Sequence, residues 1–146
     1  MRTMIAAVIM TGIICIISAC KTSETPMAKG NIGGDWTISE ISGKKIVTPA
    51  DAQAAFIKID AKKKQVNAYT GCNRFFGPVD LDTKQQTLSF DKVGATRMMC
   101  HDMTTENMLS EVLPKISRYG FSETGDLLLM NNEGAILVKL TKTPGK

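Results

Sequence analysis

Two short segments hold most of the side chains capable of chemistry. One is Gly71-Cys72-Asn73-Arg74-Phe75 and the other is Thr96-Arg97-Met98-Met99-Cys100-His101-Asp102-Met103. Cys72 and Cys100 stand 28 positions apart, one in each segment. Two such thiols can close a disulfide or, left reduced, serve redox or metal chemistry with His101 beside them. Thioethers, a thiolate and an imidazole together suit Cu(I), although methionine is equally a flexible core filler. Arg74 and Arg97 each present five donors in a fixed fork, which match a carboxylate or a set of carbonyls. Asn73 and Gly71 are residues that shape tight turns, and Thr96 is placed to cap one. Asn73, Arg74, Thr96 and Arg97 are therefore either a binding patch for an anionic ligand or partner, or a structural motif. A Cys72–Cys100 bridge would make the two segments neighbours.

Other chemistries lack their residues. The chain has one histidine, so a two-His metal site is excluded. There is no G-x-S-x-G elbow, no phosphate-cradling P-loop, no G-x-G-x-x-G fingerprint and no C-x-x-C pair. Cys100 and His101 are adjacent, and on an extended strand they would face opposite sides. No catalytic residue, cofactor or resident metal is predicted, and the expected class is non-enzymatic. A net charge of +4 and an aromatic share of 5% predict no nucleic-acid partner, since that needs a concentrated basic stripe.

The compartment follows from residues 1–20, MRTMIAAVIMTGIICIISAC. Arg2 opens an uncharged run from Met4 to Ile17, which has the length of a secretory h-region and is short for a membrane span. It ends in Ile17-Ser18-Ala19-Cys20, which resembles the bacterial lipobox, with Ile17 where leucine is more usual. The expected organisation is a lipoprotein signal peptide over 1–19 and lipidation at Cys20. A flexible tether follows over 20–30, then one domain over 31–141. The membrane, through that anchor, is the first expected partner. Lys21 after Cys20 points to the outer membrane. Cys15 leaves with the signal and Cys20 takes the lipid. Cys72 and Cys100 then remain alone in a compartment that permits disulfides, which favours the bridge over free thiols.

The elements that must hold these segments are mostly short alternating runs. Trp36 and Ile38 share a strand face, and so do Ala55, Ile57 and Ile59, and then Val66, Ala68 and Thr70. Lys45-Ile46-Val47, Leu88 with Phe90, and Tyr119 with Phe121 mark further strands. Cys72 to Phe76 reads as a tight segment bracketed by Gly71 and Gly77-Pro78. Leu127 to Met130 is continuously apolar, Ile136, Val138 and Leu140 alternate, and the last three strands read as a meander. Only Met108, Leu109, Val112, Leu113 and Ile116 follow a helical period. Asp102 or Thr104 can cap that helix, Glu106 suits its first turn, and Pro114 should kink or stop it. Seven or eight strands and one helix predict a mainly β fold: an antiparallel lipocalin-like barrel or curled sheet with one helix packed on it. An interior filled by Trp36, Phe56 and the Leu127–Met130 run would argue against a ligand cavity.

The two cysteine-bearing segments in this order resemble the META domain, the HslJ-like family of bacterial heat-shock lipoproteins. Gly34-Asp35-Trp36 upstream and the helix from Glu106 to Ile116 extend the resemblance over about residues 31–141. It implies a barrel of lipocalin-like topology and an envelope protein linked to stress or drug tolerance, and it lends no catalytic residues. The expected function is surface support through contact with an envelope protein or a small ligand. The alternatives are a small-molecule carrier and a Cu(I)-binding or thiol redox protein.

Overall fold

The computed structural model describes residues 29–144. The signal segment, Cys20 and the tether up to residue 28 lie outside them. The chain forms β1 (Gly34–Ile41), β2 (Lys44–Lys45), β3 (Phe56–Asp60), β4 (Gln65–Tyr69), β5 (Arg74–Pro78), β6 (Asp80–Asp82), β7 (Thr87–Ser89) and β8 (Gly94–Ala95). Helix α1 (Thr104–Val112) and a 3-10 turn (Leu113–Lys115) follow, then β9 (Arg118–Phe121), β10 (Leu127–Met130) and β11 (Ile136–Lys142). The order across the sheet is β6-β7-β9-β10-β11-β1-β3-β4-β5-β8, with β2 added on β1. Every pairing is antiparallel. One residue, Val79, separates β5 from β6, and its N–H donates to the Lys64 carbonyl at 2.9 Å. The two limbs of the sheet are therefore joined by one bent strand, and the sheet curls around its apolar face.

That face is built by the period-two pattern. Trp36, Ile38 and Ile41 of β1 are buried, as are Ile57 and Ile59 of β3 and Val66 and Ala68 of β4. Leu127, Leu129, Val138 and Leu140 complete the core from the terminal meander. Trp36 satisfies its indole N–H on the Ile32 carbonyl at 2.8 Å, so its bulk enters the core with no orphaned donor. Phe121 packs 6.1 Å from it, centroid to centroid.

Two expectations about strands change, and one candidate for the interior lies elsewhere. Phe56 does not fill the interior. Ile57 and Ile59 take the inner face, so alternation sends Phe56 outward, where its ring lies 6.1 Å from that of Tyr69. The tight segment after Gly71 is instead the strand β5, paired along its length with β4. Gly77 is needed inside it: its φ is +150°, and a Cβ there would stand 2.7 Å from the Lys92 carbonyl oxygen. The run at Lys45 shrinks to the two residues of β2, because Ile46 bonds back to Ser39 and the chain leaves the sheet.

The helix buries Leu109 and Val112 and passes into the 3-10 turn at Pro114, which has no N–H to continue it. Met103 holds the N-cap position without a side-chain cap, while the Asp102 carboxylate accepts the Thr104 N–H at 2.8 Å. No described helix is long and apolar enough to cross a membrane.

Candidate functional site

Cys72 and Cys100 form a disulfide with their Cα atoms 6.0 Å apart. The bridge ties the turn before β5 to the segment after β8. Between them lies Asn73, 1% exposed and the centre of a hydrogen-bonded cluster. Its side-chain oxygen accepts from the Met98 N–H at 2.7 Å and from the Thr96 hydroxyl at 2.7 Å. Its amide nitrogen donates to the Met98 carbonyl at 2.9 Å. It also donates to the Glu106 carboxylate, with both oxygens at 2.9 Å. The primary amide thus takes both the N–H and the C=O of Met98, as the facing residue of a hydrogen-bonded antiparallel pair would.

Two further groups converge on Glu106. The Asn73 backbone N–H lies 3.2 Å from Oε2, and the Thr70 hydroxyl 3.3 Å from the same oxygen. The first turn of α1 is therefore docked on the β4–β5 turn through one carboxylate. Gly71 gives that turn its shape, with φ at +102°. The Arg74 N–H donates to the Thr96 hydroxyl at 3.0 Å, and the Thr96 N–H donates to the Arg74 carbonyl at 3.0 Å. Sequence reasoning took Glu106 as a favourable charge in a first helical turn. That placement gives no sign of its distant partners Thr70 and Asn73.

The four motif residues divide into two pairs. Asn73 and Thr96 make the cluster. Arg74 and Arg97 are exposed, and neither side chain meets a carboxylate among the described residues. The Arg74 guanidinium instead lies over the Tyr69 ring, 5.3 Å from its centroid. Among the described residues neither arginine is held by a buried acid or by a set of carbonyls. β5 turns Phe75 into the core, so its neighbour Arg74 faces solvent. Arg97→Ala should change stability by no more than ~0.5 kcal/mol, and Arg74→Ala by about 1 kcal/mol at most, the scale of an exposed cation–π contact. Urea unfolding of each variant checks both values, and a loss of several kcal/mol from either would restore an internal role.

The sulfur-rich segment is divided too. The disulfide removes the thiolate from the Cu(I) donor set. Met98 and Met99 are 61% and 98% exposed, and His101 is exposed. Among the described residues no group of three or more His, Cys, Asp or Glu side chains gathers into a metal-holding cluster. Phe76, 51% exposed, adds to the apolar surface on this side of β5.

The fold and its bridged pair of segments can be compared with known proteins. Among curated proteins, none matches the chain. One solved structure similar to it is the NMR structure of a protein from Burkholderia xenovorans, at 21% identity and a TM-score of 0.57. The match covers 77% of this chain and 83% of that one, and at this identity it speaks for the fold. The META domain family model matches residues 29–144, a span that takes in every strand, the helix and both cysteine-bearing segments. On that match the chain belongs to the META domain family.

Proposed function

We propose that this META-domain protein is a lipid-anchored, non-enzymatic component of the bacterial cell envelope, acting there through contact with another envelope protein. The observation that carries the reading is the distribution of side chains around the Asn73 cluster. The cluster is internally satisfied. The residues beside it that reach solvent include Arg74, Arg97, Met98 and Met99, which are cationic or apolar. Such a surface suits recognition and lacks an acid–base pair for catalysis. The curled sheet is filled by its own residues, with Trp36, Leu127, Leu129, Val138 and Leu140 at 0–1% exposure. That filling favours protein contact over the carrier reading, which needs an interior cavity of several hundred Å³. The resemblance of the two cysteine-bearing segments to the HslJ-like heat-shock lipoproteins supports a role in envelope stress or drug tolerance. The apolar run ending in Cys20 supports anchoring, with the outer membrane favoured by Lys21.

The test is genetic and chemical together. Cells lacking the protein should become sensitive to heat or membrane-active drugs. The wild-type gene should restore tolerance, and Cys20→Ser should fail to restore it while its product loses metabolic labelling by a fatty acid. A mature N-terminus other than acylated Cys20 would overturn the anchoring. Full restoration by a non-acylated chain would show that the anchor is dispensable.

A further inference from the structure

The Asn73 amide does more than close a turn: it lengthens an edge of the sheet. In the β5–β8 ladder Phe75 faces Ala95 and Phe76 faces Gly94. Continuing the register, Arg74 faces Thr96, and the Thr96 N–H does bond the Arg74 carbonyl. Backbone groups of an extended chain point alternately to its two sides. The Thr96 N–H therefore turns towards β5, where the Arg74 N–H takes the Thr96 hydroxyl in place of its carbonyl, and the backbone groups of Ala95 turn away. At Met98 the strand β5 has ended, and Asn73 supplies the missing partner by taking both the N–H and the C=O of that residue. The segment from Gly94 to Met98 is thus held as an edge strand longer than the two residues of β8. Among the described residues no hydrogen bond engages the backbone of Ala95, Arg97 or Met99.

We infer that this edge accepts an extended, acidic segment of a partner protein as an added strand. The inference rests on the protein-contact reading above and names the partner's chemistry. Backbone pairing would supply the alignment, as in strand addition generally. Charge selects the occupant. Arg97 lies on the edge and Arg74 on the neighbouring strand, both exposed and without an acidic partner among the described residues. A second copy of the same edge would bring arginine against arginine, so the charges that favour an acidic strand also discourage self-pairing. Met98, Met99 and Phe76 add exposed apolar surface alongside.

The test uses the full-length protein in its own membranes. A photoreactive benzoylphenylalanine replaces Ala95, Met99 or, as a distant control in the β10–β11 turn, Glu133. Adducts are mapped by mass spectrometry to the linked peptide. The expected result is linkage from positions 95 and 99, and not from 133, to one protein segment bearing alternate Asp or Glu. Linkage from position 99 should fall by about tenfold or more in Arg97→Glu and in Ala95→Pro, the latter removing an outward N–H and fixing φ at that position. Both variants must keep the wild-type unfolding midpoint. Where Ala95→Pro does not, Arg97→Glu alone decides. Undiminished linkage in the folded variants overturns the edge. So do adducts only to phospholipid, to a second copy, or to a segment without acids. Protein adducts confined to position 133 overturn the edge and leave protein contact standing. No protein adduct from any position overturns both.

Discussion

Asn73→Ala should lower the stability of the domain by about 3–5 kcal/mol, read as a fall in the urea midpoint at unchanged slope. The side chain is 1% exposed and touches three separate parts of the chain: the Thr96–Met98 segment, the Glu106 carboxylate and its own turn. Truncation leaves the Met98 N–H and carbonyl and part of the Glu106 carboxylate without partners, and the Thr96 hydroxyl, which still accepts from the Arg74 N–H, without an acceptor for its proton. A buried group left unpaired costs about 1–3 kcal/mol, and a bond to a charged group is worth more than a neutral one. The full sum is not reached, because Thr96 and Met98 are exposed and water can replace some of what is lost. Asn73→Asp is the sharper variant. It removes the donor to the Met98 carbonyl and sets a carboxylate against that of Glu106, at a separation where the wild-type groups are 2.9 Å apart. Its cost should equal or exceed that of alanine, and combining it with Glu106→Gln should return part of the loss. That non-additivity is the signature of direct contact. A loss below ~1 kcal/mol for Asn73→Ala would show that the cluster is incidental to stability.

The contrast between Asn73 and Arg74 explains how far the sequence could be read. Period-two runs place Trp36, Ile57, Val66 and Val138 inside because burial of one face is what strands of this composition must do. The helix around Leu109 and Val112 follows from its change of period, and its end from Pro114. Phe56 was open to misreading because size suggested a core residue while alternation with Ile57 assigned it outside. Here the local period decided. β5 was obscured by Gly77-Pro78, which usually punctuate turns. In this strand the glycine admits the Lys92 backbone and the proline closes the end. At the site, spacing indicated that two cysteine-bearing segments belong together. It could not show which polar side chains turn inward. Asn73 is buried because the bridge and the start of α1 close over it, and both are long-range events. Arg74 is exposed because its neighbour Phe75 takes the core. Glu106 had no local signature, since an acid in a first helical turn is already accounted for by the helix dipole.

Removing the Cys72–Cys100 bridge by paired Cys→Ala substitution should cost about 3–4 kcal/mol, from the loop entropy released to the unfolded chain by a separation of 28 residues. For a domain of this size that corresponds to a fall of roughly 10 °C in the thermal midpoint. The bridge closes around the residues that Asn73 binds: Cys72 precedes Asn73 and Cys100 follows Met98 by two positions. Without it, bringing Met98 back to Asn73 requires ordering the intervening chain, so the amide cluster should weaken together with the bridge. The two losses should then be coupled, and Asn73→Ala should cost less in the bridge-free background than in the wild type. The same reasoning sets the order of events under a reductant. Reduced protein should first lose hydrogen-exchange protection at the Thr96 and Met98 amides, which depend on β5 and Asn73, while the buried meander of Leu127, Leu129 and Val138 retains its own. Alkylation of unfolded protein should find no free thiol at either position before reduction and two after it. A midpoint unchanged within about 2 °C, on a scale where 1 kcal/mol moves it several degrees, would mean that the sheet and the Asn73 cluster hold the two segments together without the covalent link.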